Sequence, residues 1–283
     1  MPGVAVVADR TLSPEEYRIF QEFLQKTCGI VLGENKHYLV TSRLIGLLEE
    51  FGVSSVSELL AQLRTGRASA LQDRVIEAMT TNETFWFRDG FPFEIYRNQL
   101  LPELAAKNGS SVKIWCAACS TGQEPYSLSI ATQEYLQAQP GRLKAPVQIV
   151  GTDISPAVLR EAATARYDVL SIARGLSPER KQRYFTATPE GRFEVRPEIR
   201  QRVSFRALNL LQSYSAMGKF DIIFCRNVLI YFSVDLKRDI VERLGQCLNP
   251  GGILFLGASE SMAGLSSSFE MVRCNPGVMY RKK

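Results

Sequence analysis

The feature that most constrains this chain is a strand, a loop of very small residues and a helix start run together: Val112-Lys113-Ile114-Trp115-Cys116-Ala117-Ala118-Cys119-Ser120-Thr121-Gly122-Gln123-Glu124-Pro125-Tyr126-Ser127. Residues without bulk let the backbone turn sharply and let another object approach it closely. α/β proteins hold nucleotide-like cofactors on such a strand-to-helix turn. The same residues also suit a tight packing turn, and this stretch alone leaves both readings open.

The rest of the second half repeats that rhythm. Strand 112–116 precedes a helix over about 124–138, and strand 147–152 precedes a helix that opens at Ser155-Pro156 and ends near Arg166. Strand 220–225 precedes a helix over 233–248, and after Asn249-Pro250-Gly251-Gly252 comes strand 253–257. Continuous apolar strands alternating with helices predict a parallel, doubly wound sheet. The tail, 269–273 and 278–281 divided by Asn275-Pro276-Gly277, reads as a hairpin. From about 167 to 211 the rhythm is interrupted by a short helix at 177–185 and a Pro-Glu-Gly turn. Arg192-Phe193-Glu194-Val195-Arg196 then alternates polar with apolar, which predicts a small antiparallel β insertion.

The first half is helical. Ser13-Pro14-Glu15-Glu16 supplies an N-cap, a proline at the first helical position and a glutamate three residues after the cap, and Tyr17, Phe20, Phe23 and Leu24 make an apolar stripe. A second helix is expected over about 35–51. Ser55 with Glu58 opens a third as another capping box, and a fourth starts near Ser69 with Leu71, Val75, Ile76 and Met79 inward. Thr81-Asn82-Glu83-Thr84-Phe85-Trp86-Phe87-Arg88-Asp89 has no clear period; it reads as a linker or lining loop that ends in an ion pair. The expected division is a helical domain over 1–80, a cofactor-lining segment over 81–92 and an α/β domain over 93–283 that carries the insertion.

No apolar run approaches the roughly 20 residues that span a bilayer, and residues 1–10 are too short and too weakly basic for a signal peptide, so a cytoplasmic protein is expected. Six scattered cysteines suit buried reduced thiols. Cys116 and Cys119 form a C-x-x-C, but no second such pair exists and His37 is the only histidine, which argues against zinc. The net charge of +5 is uneven. Residues 1–80 hold 8 Lys/Arg against 10 Asp/Glu, a net of −2, whereas residues 160–206 hold 11 against 6, a net of +5. A localised basic segment attracts an acidic partner, or is simply a solvated face.

A strand-loop-helix turn admits NAD, FAD or S-adenosylmethionine. The three-glycine dinucleotide fingerprint is absent, since Gly122 is the only glycine in the loop, and there is no G-x-x-x-x-G-K. Glu124 at the helix start would repel a pyrophosphate but suits a cationic amino-acid tail. Gly151-Thr152-Asp153 places a carboxylate where it can accept ribose hydroxyls. Together these favour S-adenosylmethionine, with no metal.

Five ordered motifs carry a closer likeness: Thr81-Asn82-Glu83-Thr84-Phe85 with Phe87-Arg88; Ala117-x-x-Ser120-Thr121-Gly122-x-Glu124-Pro125-Tyr126-Ser127; Gly151-Thr152-Asp153-Ile154; Asn209-Leu210; and Phe224-Cys225-Arg226-Asn227-Val228-x-Ile230-Tyr231-Phe232. In these the chain resembles the CheR-type chemoreceptor glutamate methyltransferases over nearly its whole length. The resemblance implies a Rossmann-like S-adenosylmethionine-dependent methyltransferase fold with a small β insertion, preceded by a small all-α domain. It implies transfer of methyl groups to glutamate side chains of methyl-accepting chemotaxis receptors, with S-adenosylhomocysteine as product. By the same resemblance Asn82, Thr84 and Arg88 contact the methionine end of the cofactor, Glu124 holds or adjoins its amino group, and Asp153 binds the ribose. Asn209 and Leu210 frame the adenine, while Arg226, Asn227 and Tyr231 line the reaction site, Arg226 and Tyr231 as the catalytic pair. The expected enzyme is a monomer recruited to membrane receptors without inserting in the membrane, with a regulatory protein able to bind near the cleft.

The chemistry agrees with that cast. A glutamate with a pKa near about 4.3 is ionised at neutral pH, so no general base is needed and a site without histidine suffices. Arg226 and Tyr231 can orient the carboxylate, although a structural salt bridge for Arg226 and core packing for Tyr231 remain alternatives. Two departures stand out. The second helix keeps Lys36 and Arg43 but continues Ile45-Gly46-Leu47-Leu48-Glu49-Glu50, so it offers receptor docking less positive charge than relatives do. The turn Ala187-Thr188-Pro189-Glu190-Gly191-Arg192 is shorter than in members that grip a receptor C-terminal peptide, which predicts independence from such a tether. Two rivals remain at this stage. A nucleic-acid methyltransferase would need an Asn/Asp-Pro-Pro-aromatic motif, which is absent, so no nucleic-acid partner is expected. The other is a non-catalytic module that binds the cofactor and uses the basic insertion as its interface.

Overall fold

The computed structural model describes residues 12–65, 69–107 and 109–283; the segment read against a signal peptide lies outside them. The chain divides into two compact units, residues 1–81 with Tyr231–Ser233, and Asn82–Ile230 with Val234–Lys283.

The first unit holds helices α1 (Pro14–Cys28), α2 (His37–Phe51), α3 (Val56–Arg64) and α4 (Ser69–Met79). At α1 the capping box forms in full: the Ser13 hydroxyl accepts the Glu16 N–H and the Glu16 carboxylate accepts the Ser13 N–H. Gly29 ends the helix in the left-handed region, where a residue without Cβ is least strained. At α3 the box forms only by half. Ser55 accepts the Glu58 N–H, but the Glu58 carboxylate reaches one residue further, to the N–H and hydroxyl of Ser54. Phe20, Leu24, Val40, Leu44, Leu59 and Val75 are fully buried. Arg43, which the sequence offers for receptor docking, donates to the carbonyls of Met79 and Thr80 at the end of α4, at 2.9 and 3.4 Å. His37 is half-buried, and its ring stacks on Tyr17 at 3.8 Å.

The second unit opens with α5 (Phe91–Ile95), a π-helical turn (Tyr96–Leu100) and α6 (Leu101–Ala106). Pro102 cannot donate to the carbonyl of Asn98, and the helix widens over the turn before it. There follow β1 (Val112–Ala117), α7 (Gln123–Ala138), β2 (Val147–Asp153), α8 (Pro156–Thr164), β3 (Arg166–Tyr167), α9 (Val169–Ala173), α10 (Pro178–Tyr184), β4 (Phe185–Ala187), β5 (Phe193–Val195), α11 (Pro197–Arg200) and β6 (Val203–Ala207). The unit closes with β7 (Phe220–Cys225), a 3-10 turn (Leu229–Tyr231), α12 (Val234–Cys247), β8 (Leu248–Leu256), β9 (Phe269–Arg273) and β10 (Val278–Lys282).

The main sheet runs β6-β2-β1-β7-β8-β10-β9. The pairings from β6 to β8 are all parallel, and the expected terminal hairpin adds β10 and β9 antiparallel at one edge. Asn249 to Gly252 do form a turn, but inside a strand: the register passes from Phe220–Leu248 to Ile222–Ile253, so these four residues loop out of β8. Pro250 has no N–H for the ladder, and Gly251 takes φ +69°. The insertion is a three-stranded sheet, β3-β5-β4. The stretch expected to belong to it up to 211 ends instead in β6, the edge strand beside β2. Only five residues long and half-exposed, β6 lacks the apolar run that announces its neighbours.

Candidate active site

β1 passes through α7 to β2 on one side of the sheet, while β7 joins β1 on the other, so the strand order reverses at β1. The carboxyl ends of strands at such a reversal frame the crevice in which open α/β sheets bind ligands. Glu124, Asp153 and Arg226 all lie at those ends.

The loop after β1 is bent by three residues with positive φ: Ala118 at 60°, Ser120 at 50° and Gly122 at 90°. Two of them are not glycine, a conformation that costs on the order of 1 kcal/mol or more per residue and needs outside support. That support is visible. The Ser120 N–H donates to Asp153 Oδ2 at 2.8 Å, and the Ser120 hydroxyl donates to the Asn82 carbonyl at 2.8 Å. The Tyr167 hydroxyl, from the insertion, donates to the Thr121 carbonyl at 2.7 Å. A Cβ on Gly122 would lie 2.9 Å from Ala162 Cβ and 3.2 Å from Phe205 and Tyr167, so this glycine makes room for the protein's own packing rather than for a ligand. Cys116 and Cys119 are buried, the latter against Gly151. Burial first, then the charge of Glu124 at Cys116 and those of Asp153 and Glu124 at Cys119, push the thiols well up, which disfavours the thiolate that redox work requires.

Asp153 is 6% exposed and accepts two amides, Ser120 on Oδ2 and Ser155 on Oδ1 at 3.0 Å. Burial raises its carboxyl above the usual aspartate range, and the amide bonds only partly offset this. Its own carbonyl accepts the Leu208 N–H at 2.9 Å, which fastens the Asn209-Leu210 stretch to the end of β2. Leu210 is buried, and Asn209 is half-buried with its side-chain oxygen on the Leu211 N–H.

On the other side of β1, Arg226 follows the last residue of β7 with a side chain only 1% exposed. Its guanidinium donates to Glu124 Oε2 and Asp89 Oδ2, both at 2.7 Å, and to the Arg88 carbonyl at 2.8 Å. Sequence had paired Asp89 with Arg88; the structure pairs it with Arg226, while Arg88 donates to the Glu83 carbonyl and lies over the Phe85 ring. The Arg226 Nε is buried without a partner among the described atoms. Burial raises the Glu124 carboxyl above the ordinary glutamate range, opposed chiefly by the Arg226 charge.

The insertion holds the segment that contains Asn82, Thr84 and Arg88, all half-buried. The Trp86 N–H donates to the Arg174 carbonyl, Arg174 pairs with Glu83 at 2.9 Å, and Arg180 sits 3.8 Å over the Phe87 ring. A Cβ on Gly175 would lie 2.0 Å from the Trp86 carbonyl oxygen, so no larger residue fits beside this segment.

The structure thus brings Glu124, Arg226, the Asp89 carboxylate and the Arg88 carbonyl into one cluster, and Asp153, Ser120, Asn82 and Asn209-Leu210 into another. Thr84 lies on the segment between Asn82 and Arg88. Asn227 follows Arg226 at φ +59°. Tyr231 groups with the helical unit, its carbonyl accepting the Val31 N–H at 2.9 Å. Sequence reading missed Asp89 as a partner of Arg226, Tyr167 as a support of the loop, and Glu260. None of the three has a local signature: each acts across the fold.

A mostly parallel sheet with this order, a small-residue loop after β1 and a buried carboxylate at the end of β2 fit an S-adenosylmethionine-dependent methyltransferase. The donor set fits that cofactor: two buried carboxylates, balanced inside the protein by one arginine and by backbone amides, suit a cationic ligand without phosphates. The chain belongs to the CheR methyltransferase family, matching its all-alpha domain over residues 15–80 and its SAM binding domain over residues 82–278. It is 55% identical over 269 residues to chemotaxis protein methyltransferase 1 of Pseudomonas aeruginosa, covering 95% of this chain and 98% of the relative. Chemotaxis protein methyltransferase 1 of Vibrio cholerae is 52% identical over 273 residues, covering 96% and 98%. The Escherichia coli chemotaxis protein methyltransferase is 34% identical over 264 residues, covering 92% and 89%. The chain is therefore an S-adenosylmethionine-dependent methyltransferase of the CheR family. Among the described residues no cluster of acids, cysteines and histidine could hold a metal, and no helix is long and apolar enough to cross a membrane.

Proposed function

We propose that this methyltransferase esterifies glutamate side chains of chemotaxis receptors, and that the residues at the strand ends divide the work as follows. Glu124 receives the cofactor's ammonium group, Asp153 its ribose hydroxyls, and Asn209 with Leu210 its adenine; Asn82, Thr84 and Arg88 line the methionine end. When bound, S-adenosylmethionine supplies a sulfonium methyl group: a C–O bond to the glutamate forms as the C–S bond breaks, giving a methyl ester and S-adenosylhomocysteine. The substrate carboxylate is already ionised, so the protein has no proton to move. What remains is to position and to exclude water, because opposite charges cancel in the transition state.

The observation that carries this reading is the Arg226 cluster. An arginine held by two protein acids cannot neutralise a substrate carboxylate strongly, which avoids a ground-state clamp. Arg226 keeps Glu124, Asp89 and the Arg88 carbonyl in place, and through that arrangement it orients the incoming carboxylate. Asn227 continues this lining, and Tyr231 is assigned the second catalytic role. The enzyme works as a monomer that meets its membrane-bound receptors from solution and is open to a regulatory protein at the cofactor crevice. Because the turn at 187–192 is short, it does not depend on a receptor C-terminal tail.

Titration calorimetry with S-adenosylhomocysteine, combined with transfer of tritiated methyl groups to receptor-containing membranes, tests the reading. Base-labile label on receptor protein is expected. Binding without transfer would favour a non-catalytic module. Receptors lacking the C-terminal tail are expected to be methylated at a similar rate, and strong tail dependence would remove that part of the proposal.

A further inference from the structure

Glu260 has no place in the division of work above, yet its surroundings are unusual. Its two carboxylate oxygens accept four backbone N–H groups. Oε2 takes Gly257 at 2.7 Å and Asn227 at 2.8 Å, while Oε1 takes Val228 at 3.0 Å and Ile230 at 3.3 Å. Three of these donors belong to the loop after β7, the fourth to the end of β8. A carboxylate inside a concave set of backbone N–H groups is a strong, charge-assisted clasp. Gly257 makes the clasp possible: a Cβ there would lie 2.7 Å from Asn227 Nδ2, 2.8 Å from the Asn227 nitrogen and 2.8 Å from Glu260 Oε2.

Asn227 stands in the left-handed region at φ +59°, and the residue before it is Arg226, whose donors must meet Glu124, Asp89 and the Arg88 carbonyl at 2.7–2.8 Å. A rotation at Asn227 would swing the Arg226 backbone and break all three contacts together. We propose that Glu260 is a positioning residue for methyl transfer: it holds the loop after β7 so that Arg226 keeps Glu124 and the Arg88 carbonyl in the working arrangement. The inference rests on the reading that Arg226 and Glu124 serve the cofactor crevice.

Glu260→Gln keeps the shape but replaces one acceptor oxygen by an amide nitrogen that faces N–H groups. Hydrogen exchange of the full-length protein should speed up at residues 226–230 and at Gly257 while the rest of the sheet stays protected. At a temperature where circular dichroism shows the variant folded, kcat should fall about 10- to 100-fold, the scale of a misplacement near 1 Å. Because Glu260 works through Arg226, the double variant with Arg226→Lys should be within about threefold of Arg226→Lys alone. If Glu260→Gln does not fold, Glu260→Asp, which keeps the charge but shortens the reach, undergoes the same cycle and is expected to lose a smaller factor. Wild-type kcat in a folded Glu260 variant, unchanged exchange at 226–230, or effects that multiply in the double variant would each overturn the proposal. A wild-type protein that neither binds S-adenosylhomocysteine nor transfers methyl groups would instead sink the reading of the crevice itself, and the inference with it.

Discussion

Two loops form the carboxyl edge of the sheet beside β1, and they are held in the same way by different means. The loop after β1 bends through three left-handed residues and is pinned by Asp153, which is buried at the end of the next strand. The loop after β7 bends at Asn227 and is pinned by Glu260, a half-buried residue beyond the end of β8. In both cases a carboxylate accepts backbone N–H groups and so stabilises a backbone that would otherwise relax. The difference lies in what each carboxylate has left to do. Asp153 spends one oxygen on Ser120 and one on Ser155, keeps lone pairs for a ligand, and is kept partly short of charge stabilisation by burial. Glu260 satisfies four donors and retains nothing for a ligand. The two carboxylates thus hold their loops alike but differ in the donors they satisfy, and only the proposed cofactor site asks more of Asp153.

The sharpest way to break the comparison is Arg226→Ala, which leaves Glu124 buried without its cation. A loss of about 3–5 kcal/mol in urea unfolding is expected, together with methyl transfer below ~1% of wild type. An unchanged unfolding midpoint would mean that the Arg226 cluster does not hold the second loop. Next in size is Glu124→Gln. With the carboxylate gone, the affinity for S-adenosylhomocysteine should fall about 10- to 100-fold by calorimetry, equivalent to the ~1.5–3 kcal/mol of a hydrogen bond to a charged group. Tyr167→Phe removes the hydroxyl that supports the first loop at Thr121 and should cost ~1 kcal/mol, read as a severalfold rise in the cofactor dissociation constant.

The smallest effect is expected away from both loops, at Glu134 on α7. Burial opposes its ionisation, but hydrogen bonds from Arg180 and then Arg97 win and hold its carboxyl below the ordinary glutamate range. A depressed carboxylate contributes stability above its unfolded pKa and loses it as pH falls through the lower folded value. The difference between wild type and Glu134→Gln should therefore be full at pH 6–7, about 0.5 kcal/mol, and should fade below about pH 4. Cofactor affinity should not follow it.

Several of these features could be read before the fold was known, and the reasons are local. The cap at Ser13, the small-residue loop and the carboxylate after Gly151-Thr152 each act within a few residues of where they are written. What misled was also local. Arg88 and Asp89 are neighbours and look paired, yet successive side chains diverge, and Asp89 finds Arg226 instead. Gly122 looks like clearance for a ligand until Ala162, Phe205 and Tyr167 are seen to fill the space beside it. β6 escaped because an edge strand needs no continuous apolar run, and Glu260 because one glutamate after Gly-Ala-Ser carries no pattern at all.

The sequence by itself determined the class of fold, most of the alternation of strands and helices and the placement of a carboxylate at the end of β2, because hydrophobic periodicity and capping are settled within a few residues. Only the tertiary structure decided which partners hold the two loops. Asn227 and Glu260 are 33 residues apart, Glu124 and Arg226 102, and Asp89 and Arg226 137. The entropy of closing a loop grows only slowly with its length, so separations of this size neither favour nor forbid a pairing. Shape and charge at the folded strand ends make the choice.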